Sequence, residues 1–318
     1  MSRHNQVSQS SPSRTNFYDE ITNRLIAELE AGCVPWVQPW GTAAAKAPLA
    51  MPHNAATHRR YSGINILILW SAVVERGFSG QSWLTFRQAL SLGGHVRKGE
   101  RGTTVVYADR FVPEEERKRA IEAADEAQAI NFLKRFTVFN TDQCDGLPAE
   151  VSTMAPLPLP HMIEPQVEAL ISASGIDLRI GGNRAFYCPS EDYVQVPCPA
   201  AYFEPINWHR TSLHELAHAS GHSSRLNRDL SGSYGTKKYA FEEIIAEISA
   251  AFCCASLGIV PTVRHADYIA SWLEVLREDN RAIVRAASQA SKVADYLLAF
   301  LPDLASSPAE QPAHCEAA

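Results

Sequence analysis

The apolar positions of this chain repeat with different periods in different stretches, and the periods predict its elements. Ile21, Leu25, Ile26 and Leu29 recur at three- and four-residue spacing, with Gly32 standing where a C-cap would, so a helix is predicted over about 17–31. The next stretch, Val34-Pro35-Trp36-Val37-Gln38-Pro39-Trp40, carries two prolines that forbid a regular helix and two tryptophans costly to leave in water. It reads as a loop that packs or binds something. An apolar helix is predicted over about 64–76, and Ser82 stands where an N-cap would open another, running to about Leu92. A glycine-rich turn over 93–102 leads into a β-branched strand over 103–107, and a further strand is predicted over 132–140. Between them, 113–130 reads as a solvated helix or a flexible insertion.

Beyond residue 145 the pattern changes. Pro148, Pro156, Pro158, Pro160 and Pro165 make a semi-rigid connector. A helix over 163–174 and short strands over 184–188 and 192–197 follow, then three long helical patterns over about 207–222, 239–257 and 266–299. The fold class is therefore α+β in two domains. The boundaries are a tail at 1–15, a first domain at 16–145, a proline-rich linker at 146–160, a second domain at 161–302 and a tail at 303–318.

Composition narrows the class. With 46% hydrophobic and 20% charged residues among 318, the chain can bury a core and is neither fibrous nor wholly disordered. Its longest apolar runs fall short of a bilayer span, and its polar start has no apolar segment of the signal-peptide kind. A cytoplasmic location with no membrane partner is the expectation. Seven cysteines without a C-x-x-C pair argue against a disulfide scaffold or a zinc ribbon. The net charge of −6 hides a division: residues 1–145 hold 17 basic and 15 acidic residues, against 12 and 20 in residues 146–318. Within 57–111 there are eight basic residues and three acidic ones, a bias that points to a polyanion on that half.

The candidate chemistry lies in the second half. His214-Glu215-Leu216-Ala217-His218 is an H-E-x-x-H motif inside a helical pattern, so both imidazoles share one face and can reach a single ion at ~2.0–2.1 Å. Glu215 beside them can act as general base toward a water that the ion has acidified. A catalytic zinc takes three protein ligands, and the helix after the next loop offers Glu242, Glu243 and Glu247. Glu243 is the expected third ligand, with Glu242 the alternative. Glu247, set among Ile244, Ile245, Ala246 and Ile248, would be expensive without a partner. It is expected to accept the second ring N–H of a ligand histidine. Tyr234 and Tyr239 can reach such a cleft and stabilise an oxyanion, and His222 either lines it or serves the helix end. The strand at Tyr193 to Val196 suits either an internal position or pairing with an extended peptide.

In the first half, aromatic and basic residues interleave in the manner of single-stranded nucleic-acid grooves. The contact candidates are Trp36, Trp40, Arg59, Arg60, Tyr61, Arg97, Lys98 and Arg101.

These residues also carry a resemblance. Phe17 to Thr22, Val34-Pro35-Trp36, Asn54-Ala55-Ala56-Thr57, Arg60 to Asn65 and the tract Gly94 to Thr104 resemble the N-terminal domain of the ArdC antirestriction family, shared with plasmid TraC-type primases. His214 to His222, Arg225-Leu226 and Tyr239 to Ala251 are similar to that family's zincin-like metallopeptidase domain. The resemblance implies single-stranded DNA binding by the first half and a metallopeptidase-like second half. It also implies a role on conjugative plasmids or mobile elements, protecting incoming DNA from restriction. The segment 113–130 aligns with no motif of the family, and the primase catalytic domain has no counterpart, so primase activity is not carried over.

The combined expectation is a single-stranded DNA-binding protein whose second half holds Zn2+, or another divalent transition metal such as Mn2+, on His214, His218 and Glu243. Three functions fit: protection by DNA occupancy, cleavage of a host restriction or DNA-associated protein by a zinc-dependent metallopeptidase, and sequestration of such a protein without cleavage.

Overall fold

The computed structural model describes residues 17–37, 47–123, 130–152, 160–260 and 268–301. The first half holds α1 (Phe17–Glu30), β1 (His53–Asn54), α2 (Ile64–Arg76), β2 (Ser82–Thr85), α3 (Phe86–Ser91), β3 (His95–Val96), β4 (Thr103–Phe111), α4 (Glu114–Ala123), β5 (Ile130–Asn140), β6 (Cys144–Asp145) and α5 (Ala149–Ser152). The second holds α6 (Pro160–Ser174), β7 (Asp177–Ile180), β8 (Phe186–Cys188), β9 (Tyr193–Val196), α7 (Ile206–Ala219), α8 (Lys237–Leu257), α9 (Ile269–Glu278) and α10 (Ala282–Leu298).

One sheet of order β1-β2-β5-β4 organises the first half. Its main unit is an antiparallel hairpin in which Thr103 faces Val138 and Phe111 faces Ile130. The stretch read as a helix from Ser82 is instead a strand followed by a short helix. Trp83 and Leu84 are fully buried between β1 and β5, and the N-cap is Thr85, whose hydroxyl accepts from Gln88 N. The helix at 64–76 forms as predicted and is pinned by Asn65, whose amide donates to Val106 O at 2.7 Å and accepts from Val106 N at 2.8 Å. That side chain supplies β4 with the pairing a neighbouring strand would give. Gly102 opens β4 where a Cβ would meet Thr137 Cγ2 at 2.3 Å and Val138 O at 3.0 Å, so the strand enters the sheet there only as glycine.

In the second half β9 is the centre of a three-stranded sheet, parallel to β7 and antiparallel to β8. The strand β7 had no sequence signal, since it is a mostly exposed edge. The long pattern over 266–299 divides into α9 and α10, with Asp279 between them accepting from Arg281 N. The first two residues of that stretch, 266 and 267, lie outside the described residues.

The halves do not have separate cores. Buried residues of both belong to one cluster, in which Trp36 packs on Trp272 with ring centroids 5.5 Å apart and Trp70 meets Phe252 edge-on at 5.6 Å. Polar ties cross the same seam: Thr22 Oγ1 donates to Asn280 O at 2.7 Å, and Gly63 N donates to Ser291 Oγ at 2.7 Å. The connector at 146–160 thus separates two sequence regions that pack as one body. No helix among the described residues is long and apolar enough to cross a membrane.

Candidate functional site

Helix α7 carries the H-E-x-x-H motif into the interior. His214 and Glu215 are buried, and His218 nearly so, because α7 packs against α8 on one side and β9 on the other. Thr236 caps the start of α8 by accepting from Tyr239 N, which sets the register that aims Glu243 at both histidines. His214 Nε2 and His218 Nε2 face each other at 3.2 Å. Glu243 Oε2 lies 3.5 Å from the first and Oε1 lies 3.5 Å from the second.

These separations fit a metal. Donors ~2.0–2.1 Å from a common tetrahedral centre stand roughly 3.3–3.4 Å apart, close to the spacings present. Two imidazoles and a carboxylate are also a donor set suited to a divalent transition metal. The three ligand atoms lie within 4.8 Å of one another. Glu243 Oε2 is buried without a hydrogen bond, a state that is costly unless a cation completes it. Burial favours the neutral forms here, yet the histidines hold the Glu243 carboxyl far below its usual range, and Glu242 with Glu243 raises the proton affinity of His218.

Each histidine has a carboxylate behind it. Glu247 Oε1 is 3.7 Å from His214 Nδ1, on the side away from Glu243 and just beyond hydrogen-bond distance. Glu242, the alternative ligand, instead stands 3.3 Å from His218 Nδ1 and is held from the other side by Arg228, whose Nη2 donates to Oε1 at 2.6 Å. Arg228 also donates to Ala217 O and Ser220 Oγ, stitching the loop after α7 to the end of that helix. Sequence reading missed Arg228 because it sits in a loop, 14 positions from Glu242, with no periodicity to mark it.

The triad opens on a cavity of about 1110 Å³ lined by α7, α8, β8 and the loop after α7. Glu215 lines it, and its side chain makes no hydrogen bond or ion pair with another described residue. Tyr239 is half-buried, with its phenol hydrogen-bonded to Glu243. Burial and that carboxylate raise its pKa beyond the ordinary tyrosine range, so it stays a neutral donor. Tyr234 is largely exposed and stacks near Tyr239 at 5.6 Å. His222 lies past the end of α7 and faces Asp192 and Ser224, the helix-end role rather than the cleft. The central strand is β9, so an extended peptide has no free edge there; the open edge at the cavity is β8.

The first half departs further from expectation. Trp36 is fully buried against Trp272 and Tyr61 is 3% exposed, so both are removed from the candidate DNA contacts. Their apolar area belongs to the core joining the halves. Arg60 is half-buried and faces Asp295 of α10, and burial lowers its pKa. Arg97 is at the surface but tied to Glu100 at 2.8 Å, Asp145 at 3.3 Å and Asp142 O, an arrangement that braces the 97–100 turn. Arg59 is half-exposed, while Lys98, Arg101 and Arg87, which the sequence reading did not select, are exposed. None of those last three forms an ion pair with another described residue. Trp40 lies outside the described residues. Phe86, an aromatic of the interleaved stretch left out of the contact candidates, is 51% accessible and 6.5 Å from Phe139, whose ring borders Gly102.

Comparison with known proteins agrees with this division. Residues 15–139 match the N-terminal domain of anti-restriction factor ArdC, and residues 165–289 match a zincin-like metallopeptidase family. The protein y4eC of Sinorhizobium fredii is 41% identical over 298 residues, covering 91% of this chain and 94% of that protein. The DNA primase TraC of Escherichia coli is 37% identical over 302 residues, but the chain spans only 27% of its length. Among solved structures, antirestriction protein ArdC from plasmid R388 superposes with a TM-score of 0.76 in its metal-free form and 0.74 in its Mn(II)-bound form. Both share 38% identity and are covered over 98% of their length, against 91% and 92% of this chain. With both regions matched in order across nearly its whole length, the chain belongs to the ArdC antirestriction family, its first half of the kind shared with TraC primases and its second zincin-like.

Proposed function

We propose that this protein protects DNA from restriction by binding single strands through its first half and hydrolysing a DNA-associated protein through its second. The observation that carries the enzymatic part is the convergence of His214, His218 and Glu243 in one cavity beside Glu215, which has no partner among the described residues. A divalent ion on those three donors would supply Lewis acidity and lower the pKa of water to about 7. The rest is done by the chain. Glu215 takes the proton of the attacking water and returns it to the leaving amine. Glu247 and Glu242 hold the two imidazoles in orientation, and Tyr239 steadies Glu243. The β8 edge offers backbone groups to an extended peptide.

The DNA surface would draw on the exposed Phe86, which meets Phe139, and on the exposed cations Arg87, Lys98 and Arg101. Exposed rings stack bases and unpaired cations meet phosphates, whereas Trp36 and Tyr61 cannot. The location that follows is the cytoplasm, where incoming DNA meets restriction enzymes.

The test is metal content and protection measured together. About one divalent ion per chain, lost in His214→Ala and Glu243→Ala, supports the centre, and loss of protection in Glu215→Gln with DNA binding intact supports hydrolysis. Full protection by Glu215→Gln would assign protection to DNA occupancy instead.

A further inference from the structure

Four residues before His214, on the same face of α7 and about 6 Å up the helix axis, stands Arg210. It lines the same cavity. Its side chain makes one hydrogen bond to a described residue, Nη1 donating to Asn207 Oδ1 at 2.7 Å. Its Nε is buried with no acceptor, and it forms no ion pair with another described residue. Glu204 is near enough to favour its charge but accepts from Asn207 instead. The surrounding burial disfavours the guanidinium, which nonetheless stays charged.

The other cations around the cavity contrast with it. Lys238 is paired with Asp229 at 2.6 Å, and Arg228 with Glu242 at 2.6 Å. A half-buried guanidinium with only Nη1 engaged by a described residue, beside the proposed metal centre, is suited to a carboxylate brought in by a ligand. Arg184, exposed at the start of the β8 edge on the cavity wall, is likewise without an ion pair among the described residues and extends the positive side.

We propose that Arg210 is a specificity-determining residue that recognises a carboxylate of the peptide bound in the cleft, so that the substrate is acidic next to the bond cleaved. This rests on the peptidase reading above and adds to it the class of substrate. The carboxylate is either an Asp or Glu side chain or the chain's C-terminus, and the two sources are separable.

The experiment uses the full-length Glu215→Gln protein, loaded with metal, so that bound peptide is not turned over. Four fluorescein-labelled decapeptide pools are titrated by anisotropy, random over uncharged residues except for one central position fixed as Glu or as Gln, each with a free or an amidated C-terminus. The expected result is about tenfold tighter binding of the Glu pool or of the free-terminus pool, whichever source applies. Adding Arg210→Gln removes the preference while leaving the neutral, amidated pool unchanged, and Arg210→Lys restores part of it. In the parent protein the preference shrinks as salt rises. Metal content and melting temperature equal to the parent's confirm that each variant is folded. Pools that bind without any acidic preference, or a preference that survives Arg210→Gln, overturn this inference and leave the peptidase reading standing. No binding by any pool overturns both. Competition by a short single strand that depends on Arg210 would assign it to phosphate and overturn it as well.

Discussion

The two functional regions handle charge in opposite ways. At the proposed metal centre the donors are buried or nearly so, and each histidine has a carboxylate behind it: Glu247 behind His214 and Glu242 behind His218, with Arg228 behind Glu242 in turn. On the proposed nucleic-acid face the cations are exposed and largely without ion-pair partners among the described residues, while Arg97 is tied down and braces a turn. The difference follows from what each ligand brings. A bare ion needs its donors held in a fixed arrangement before it arrives, and low-dielectric surroundings punish any that are left alone. A nucleic-acid strand brings many phosphates and displaces salt, so mobile surface cations suffice.

That contrast can be broken by substitution. The largest effect is expected at Glu215, where Gln should reduce peptide hydrolysis by about 10²–10⁴-fold with metal retained, read as turnover of a peptide pool beside metal analysis. Nearly as large is the cost of Trp36→Ala, about 3–5 kcal/mol of unfolding free energy. Because Trp36 packs on Trp272 across the seam, denaturation followed by probes in each half should remain one transition shifted to lower denaturant. Two separated transitions in the parent protein would refute the shared core.

Smaller effects separate the regions. Glu242→Gln should weaken metal affinity by about 10–100-fold through His218 alone, without altering DNA binding, as competition with a chelator would measure. Phe86→Ala should cost about 1–3 kcal/mol in affinity for a single strand and leave the melting temperature unchanged, since the ring is half-exposed. Replacing Lys98 and Arg101 together by Ala should lower the slope of log affinity against log salt by about 0.7 for each phosphate that is no longer neutralised. An unchanged slope would remove these two from the surface.

Much of the metal centre was legible from spacing. An i, i+4 pair of histidines shares a face in any helix, and a carboxylate embedded in an apolar helix must have a partner, so His214, His218 and Glu247 were singled out by periodicity and the cost of burial, while the choice between Glu242 and Glu243 stayed open until the structure placed Glu243 against both histidines. The proposed nucleic-acid face was less legible. Aromatic residues serve cores and binding surfaces alike, and Trp36 and Tyr61 went to the core while Phe86 stayed outside. Nothing along the chain distinguishes these uses, because the deciding neighbour of Trp36 is Trp272, more than two hundred positions away.

The sequence by itself determined the α+β class, the helices at 17–30, 64–76 and around the H-E-x-x-H motif, and the ligand types, because these depend on local periodicity and on chemistry carried by single side chains. Only the tertiary structure decided that Ser82 to Thr85 is a strand, that Glu242 backs a histidine while Glu243 faces both, that Arg210 stands without an acid among the described residues, and that two sequence regions share one core. Those outcomes depend on which distant surfaces meet, and burial against a partner outweighs the fractions of a kcal/mol by which local propensity separates one conformation from another.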